Sequence, residues 1–241
     1  MLRDPTHIRN IVEQQDPKAI NTHRYEQIFG SPKTTLRIYA NKEVGPEERK
    51  AVAYAHFTLP DKYLTGTSLA SIIDVYVSIL SRSLHDKMFQ VGFWTQIEDF
   101  WSFFQQVMTR CTMETLFGSA MYKDYPGLTK DYWKFNDDVE SFMPGMPRPL
   151  TPAAYEKSRD RLHRGIERWL RKNHSGSEFA KISEEDPVWD EHKGSKFIQE
   201  RDDVLAKTEG LDVKARVAEI LSIMHGYVRL LASDSPVNSL L

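Results

Sequence analysis

From Gly66 onward, apolar residues recur every three or four positions, the period of an amphipathic helix. Leu69, Ile73, Tyr76 or Val77, Leu80 and Leu84 form one such stripe. Ile97, Phe100, Trp101, Phe104, Met108 and Cys111 form a wider one, on a helix expected to end near Gly118. A third helix is predicted from about Lys130 to Phe142, where Met143-Pro144-Gly145-Met146-Pro147 must turn the chain. A fourth starts with Thr151 as N-cap and Pro152 in the first helical position, burying Leu162, Ile166, Trp169 and Leu170. Asn173 to Lys196 reads as a polar loop with Gly176, Pro187 and Gly194, followed by a shorter helix to about Lys207. The last helix has the cleanest period, Val213, Val217, Ile220, Leu221, Met224, Val228 and Leu231, and Ser233-Asp234-Ser235-Pro236 ends it.

The first 60 residues lack this regularity. Pro5, Pro17, Pro32, Pro46 and Pro60 punctuate them and argue against any long helix. Thr6 is placed to cap a short helix through Ile8, Ile11 and Val12, and Thr35 to Tyr39 alternates like a short strand. The expectation is a mainly α protein with little or no strand. It is expected to be a single domain over 1–241: an irregular segment 1–60, a helical body 61–232 and a tail 233–241.

Composition narrows the function classes. With 40% hydrophobic residues in 241, a substantial core can form, and a net charge of -2 gives no electrostatic reason to expect nucleic acid as partner. Cys111 is the single cysteine, so no internal disulfide can form. No apolar run approaches the ~20 residues that cross a bilayer, and the N-terminus lacks a signal pattern. A cytoplasmic chain without a transmembrane anchor is therefore expected.

Motif tests exclude several chemistries. Asn136-Asp137-Asp138-Val139-Glu140 superficially suits a magnesium-dependent terpene cyclase, but Ser141 and Phe142 stand where the second carboxylate should fall. A solvated helix face is the expected reading. The eight histidines form no pair at metal-ligand spacing, and His163 with Glu167 reads as a surface pair. No nucleophile elbow, phosphate loop or dinucleotide fingerprint is present. No metal site is expected. Phe89, Phe93, Trp94, Phe100, Trp101, Phe103 and Phe104 concentrate aromatic surface, and Phe100 to Phe104 cannot all face one core.

Several strings, taken in order, resemble a known family. They are Leu2-Arg3-Asp4-Pro5-Thr6-His7-Ile8-Arg9-Asn10, Phe29-Gly30-Ser31-Pro32-Lys33, Lys62-Tyr63-Leu64-Thr65-Gly66 and Glu114-Thr115-Leu116-Phe117-Gly118-Ser119. Asp131-Tyr132-Trp133-Lys134-Phe135, Ser158-Arg159-Asp160-Arg161-Leu162 and Glu185-Asp186-Pro187-Val188-Trp189 continue the series. Their order resembles the N-terminal half of fungal cytochrome P-450 monooxygenases, in the branch similar to prostacyclin synthase and sterol 7-hydroxylases. The resemblance implies that 47–66 is the helix beside the haem propionates, 97–118 a scaffold helix, 130–170 a substrate lid and 212–232 the start of the central helix. It also implies that the loop carrying the haem-ligating cysteine is missing, so no cofactor is expected.

By this resemblance the chain keeps substrate-facing surface without the iron-binding half. The function expected is a non-redox cyclisation of an apolar terpenoid or polyketide in fungal secondary metabolism, of pericyclase or Diels–Alder type. Tyr54, His56 and His225 are the candidate catalytic donors and acceptors. Tyr63, Phe142, Met143, Met146, Met224 and Tyr227 are the candidate substrate-binding residues. Each also has a plain structural alternative, since lone histidines and buried methionines are usually packing. The competing expectations are a non-catalytic ligand-binding or accessory protein and an inactive truncated monooxygenase. In any of them the apolar surface left by the missing half is expected to pair two copies or to be covered by a rearranged C-terminal helix.

Overall fold

The computed structural model describes residues 24–35, 38, 45–84, 99–140, 153–174, 182 and 185–233. The helix expected over Ile8 to Val12 and the Thr151–Pro152 cap lie outside them. Within them the chain is mainly α. Its helices are α1 (Pro46–Ala53), α2 (Leu59–Tyr63), α3 (Gly66–Leu84), α4 (Phe100–Phe117) and α5 (Ala120–Asp124), then α6 (Leu128–Glu140), α7 (Ala153–Asn173), α8 (Lys196–Lys207) and α9 (Val213–Ser233). One antiparallel ladder joins β1 (Trp189–Asp190) to β2 (Gly194–Ser195), a hairpin inside the segment expected to be loop.

Two prolines act against expectation. Pro46 and Pro60 each sit in the first turn of a helix, α1 and α2, where the missing N–H is not needed. A π-helical turn over Tyr54–Thr58 links them, so 46–63 is almost continuously helical rather than irregular. Thr35, expected in a strand, closes a 3-10 turn (Lys33–Thr35), its hydroxyl donating to the Pro32 carbonyl at 2.7 Å.

The core lies where α4, α6, α7, α8 and α9 meet. Leu162, Ile166, Trp169 and Leu170 of α7 are fully buried, as their spacing demands. They pack with Tyr132 and Phe135 of α6, Phe117 of α4 and Val217, Leu221 and Met224 of α9. The Trp169 ring meets Phe117 edge-on at 6.0 Å, and its indole N–H donates to the His192 carbonyl at 3.0 Å. Gly118 ends α4 with φ 82 and ψ 157, and a Cβ there would run into the Glu191 carbonyl. Gly194 lies equally close to Leu116 and Phe117, which lets the hairpin seat directly on α4.

Two stripes are phased differently from the sequence reading. On α3 the buried positions are Ile72, Ile79 and Ser83, whereas Ile73 and Val77 are 48% and 51% exposed. Tyr76 and Ser83 set this phase: the Tyr76 hydroxyl donates to Met108 Sδ, and the Cys111 thiol points at Ser83 Oγ from 3.9 Å. On α4 only the second half is buried, and Phe100 stays 65% exposed. No single helix among the described residues is long and apolar enough to cross a membrane. The pair Pro46–Tyr63 and Gly66–Leu84 reaches that length and composition only across a 75° bend.

Candidate functional site

α1, the π-turn and α2 lie against α8 and α9, and this contact gathers most of the polar side chains predicted to be functional. Glu200 on α8 is one centre. Its carboxylate accepts from the Tyr54 hydroxyl at 2.7 Å, the Tyr63 hydroxyl at 2.5 Å and the Lys62 ammonium at 2.8 Å. Burial pushes the carboxyl up, but these three donors outweigh it and hold Glu200 below the usual range. The same contact works in reverse on the phenols. Burial and the neighbouring carboxylate push Tyr63 up to about 12, and the hydrogen bond to Glu200 raises Tyr54.

Glu219 on α9 is the second centre. The Arg201 guanidinium, one residue along α8 from Glu200, reaches it at 2.6 Å and also donates to the Ala55 carbonyl of the π-turn. His56 Nε2 stands 3.2 Å from both Glu219 oxygens. Glu219 and Arg201 are almost fully buried, with side chains 1% and 6% exposed, while His56 keeps 18%. The π-turn thus offers a phenol to Glu200, an imidazole to Glu219 and a carbonyl to Arg201.

Beside the first centre lies an open cleft of about 960 Å³ including its mouth. Lys62 and Tyr63 form one lip, Thr67, Ser68 and Ser71 the polar wall, and Ile72, Ile182 and Val188 the apolar wall. Lys196 closes it. A molecule seated there would meet ammonium and hydroxyl donors on one side and aliphatic surface on the other.

Of the residues proposed from sequence, Tyr54, His56 and Tyr63 come together here. His225, Met224 and Tyr227 do not. His225 is buried between the rings of Phe29 and Phe135, at centroid distances of 5.9 and 6.1 Å. Met224 is fully buried in the core, and Tyr227 packs edge-on against Phe197 at 6.2 Å. They brace α9 rather than face the cleft. Phe142, Met143 and Met146 lie outside the described residues. Among those described, no group of His, Cys, Asp and Glu is arranged to hold a metal ion. His163, read as half of a surface pair with Glu167, instead contacts the Phe29 carbonyl at 2.8 Å, and Glu167 pairs with Arg171.

Sequence reading missed Glu200, Arg201 and Glu219. Tyr54 and Glu200 are 146 positions apart, and His56 and Glu219 163, so no local spacing could announce them. The available signal was an acid, Glu219, set among the apolar positions Val217, Ile220 and Leu221 of α9.

Comparison with known proteins agrees with the order of strings noted above. The chain is 26% identical over 215 residues to the cytochrome P450 monooxygenase fsoE of Humicola fuscoatra, covering 86% of this chain and 35% of that protein. It is 27% identical over 209 residues to the cytochrome P450 monooxygenase efuG of Hormonema carpetanum, covering 86% and 36%. The chain therefore resembles fungal cytochrome P450 monooxygenases and spans about a third of the length of these curated relatives. No family model matches it, and no solved structure does.

Proposed function

We propose that this cytochrome P450-like chain is a binding scaffold that holds an apolar small molecule in the cleft beside Tyr63 and directs its non-redox cyclisation. The single observation that carries this reading is the convergence of Tyr54, Lys62 and Tyr63 on Glu200 at the lip of that cleft. The acid fixes three donor side chains in place, so the lip is organised before a ligand arrives. A carbonyl brought to the lip meets the Lys62 ammonium, which has three N–H bonds and does not spend them all on Glu200. Polarising that carbonyl favours charge developing on it during a cycloaddition, and a Diels–Alder-type reaction is the specific form proposed. Confinement of the reactive ends supplies the rest, up to ~7–11 kcal/mol for ideal alignment.

The name cytochrome implies haem, and the residues here do not fit a thiolate-ligated iron. Cys111 is fully buried inside α4, facing Ser83, and burial pushes its thiol up rather than toward the thiolate.

The test combines ligand recovery with turnover. Mass spectrometry of small molecules retained by the purified chain should find a stoichiometric apolar compound. A linear polyene carrying an activated carbonyl should cyclise to one stereoisomer; Lys62→Met should slow it about tenfold, roughly the loss of one oriented hydrogen bond to a developing charge, and Tyr63→Phe, which removes only a donor to Glu200, should slow it less. Recovery of nothing, with no rate above buffer, would overturn the proposal. A second reading is favoured by the exposed rings of Phe100, Trp101 and Phe104: a non-catalytic accessory protein that docks through α4. Tight binding at the cleft without any turnover would select it.

A further inference from the structure

The cleft beside Tyr63 carries a charge pattern that an apolar ligand does not require. The chain has 34 acidic and 32 basic residues, yet among the described residues two lysines and no carboxylate line this cleft. Glu200 braces the lip from α8 but does not itself line the space, and its oxygens already accept from Tyr54, Lys62 and Tyr63. The wall that a ligand meets is therefore cationic.

Its donors come from three helices. Lys62 of α2 gives one of its three N–H bonds to Glu200 at 2.8 Å and keeps the others. Burial works against its ammonium, but hydrogen bonds to Glu200 and Tyr63 outweigh it and push its pKa up, so the charge persists through the neutral range. Lys196 opens α8 and is only 8% exposed. A cation so enclosed is screened less by salt and water than one on the open surface. On α3, Ser71 gives its proton to the Thr67 carbonyl at 3.1 Å. The hydroxyls of Thr67 and Ser68, one turn earlier, bond nothing else among the described residues and stand at the same wall.

We infer that this cleft binds the phosphate group of a phosphate monoester. A terminal phosphate brings about two negative charges and three acceptor oxygens, which suits two ammonium groups and two hydroxyls together. A carboxylate brings one charge and two oxygens and leaves part of this donor set unused. The space, about 960 Å³ including its mouth, admits the phosphate with the organic part of the ester against Ile72, Ile182 and Val188. The inference uses the cleft of the reading above but goes beyond it, because an anion is required and cyclisation is not.

The test is calorimetric titration of the full chain with four ligands of one chain length: hexyl phosphate, hexanesulfonate, hexanoate and hexanol. Hexyl phosphate should bind most tightly and hexanol most weakly, and inorganic phosphate should compete with hexyl phosphate. Lys62→Met and Lys196→Gln should each weaken hexyl phosphate about tenfold or more, the loss of one charge-assisted hydrogen bond, while moving hexanol little. Ser68→Ala should weaken it about two- to tenfold, as a neutral donor does. Added sodium chloride should weaken hexyl phosphate and spare hexanol. Where Lys196→Gln fails to fold, Lys62→Met and Ser68→Ala carry the same comparison from less buried positions. Hexyl phosphate no tighter than hexanol, hexanoate as tight as hexyl phosphate, or an affinity unmoved by both Lys62→Met and Ser68→Ala would overturn the assignment. Phosphate binding without turnover of a neutral polyene would support this inference and sink the cyclisation. Turnover without phosphate binding would do the reverse.

Discussion

Replacing Glu219 by leucine while leaving Arg201 in place should be among the most damaging changes the described core can suffer. The Glu219 and Arg201 side chains are 1% and 6% exposed, so neither charge can turn to water. Arg201 then keeps the Ala55 carbonyl but loses its anion, and His56 loses the carboxylate it faces. Breaking one side of a buried pair costs about 3–5 kcal/mol, because the surviving charge is left uncompensated. That is a large part of the ~5–15 kcal/mol that holds a typical domain together. With a urea m-value of about 2–3 kcal/mol/M, the midpoint should fall by roughly 1 to 2 M. Glu219→Gln keeps an acceptor and should cost less than Glu219→Leu. The double variant Arg201→Met, Glu219→Leu removes both charges and should recover most of the loss, since well-packed apolar replacements of buried pairs are often near neutral. Urea unfolding followed by far-ultraviolet circular dichroism on the parent chain, Glu219→Leu, Arg201→Met and the double variant closes the cycle. A single Glu219→Leu cost below about 1 kcal/mol, or a double variant as weak as the sum of the singles, would refute the reasoning.

Acid stability should depend on Asp202, which is almost fully buried. Burial pushes its carboxyl up, but His174 and Arg216 more than offset this and hold it below the usual range. The folded state therefore binds that proton less readily than the unfolded chain. Its contribution is complete above the ordinary carboxylate range, near pH 4, and is lost as pH falls through the depressed value. Asp202→Asn should flatten the acid limb of a stability-against-pH curve; an unchanged limb would contradict the assignment. Tyr63 and Tyr76 are both pushed up to about 12 by burial, so absorbance titration at high pH should show late phenols, and Tyr63→Phe should remove one of them. Gly118→Ala should cost more than Gly66→Ala. Both positions have positive φ, 82 and 54, but a Cβ at Gly118 meets the Glu191 carbonyl while at Gly66 it meets nothing within 4 Å. The strain common to both is about 1–2 kcal/mol, and melting temperatures of the two variants would show whether the clash adds to it.

How far the sequence reaches is visible in particular residues. Helix periodicity located α6, α7, α8 and α9 and the buried faces of α7 and α9, because an apolar stripe that must leave water fixes both the element and the side it turns inward. It failed on α3 and the first half of α4. There the stripe is apolar nearly all round, and periodicity cannot say which side meets a neighbour: Tyr76 and Ser83 settle it by meeting Met108 and Cys111. Local signals also misjudged Pro46 and Pro60, since a proline that interrupts a helix and one that begins it look alike until the preceding backbone is known.

The candidate site divides the same way. Composition and the collinear strings determined a mainly α chain resembling cytochrome P450 monooxygenases, and they picked out Tyr54, His56 and Tyr63 by residue type. Only the tertiary structure decided that these converge on Glu200 and Glu219 while His225 and Met224 serve the core. The physical reason is range. A stripe or a cap is written within a few turns of one helix, whereas a buried acid finds its donors more than a hundred residues away, through packing that no local pattern encodes.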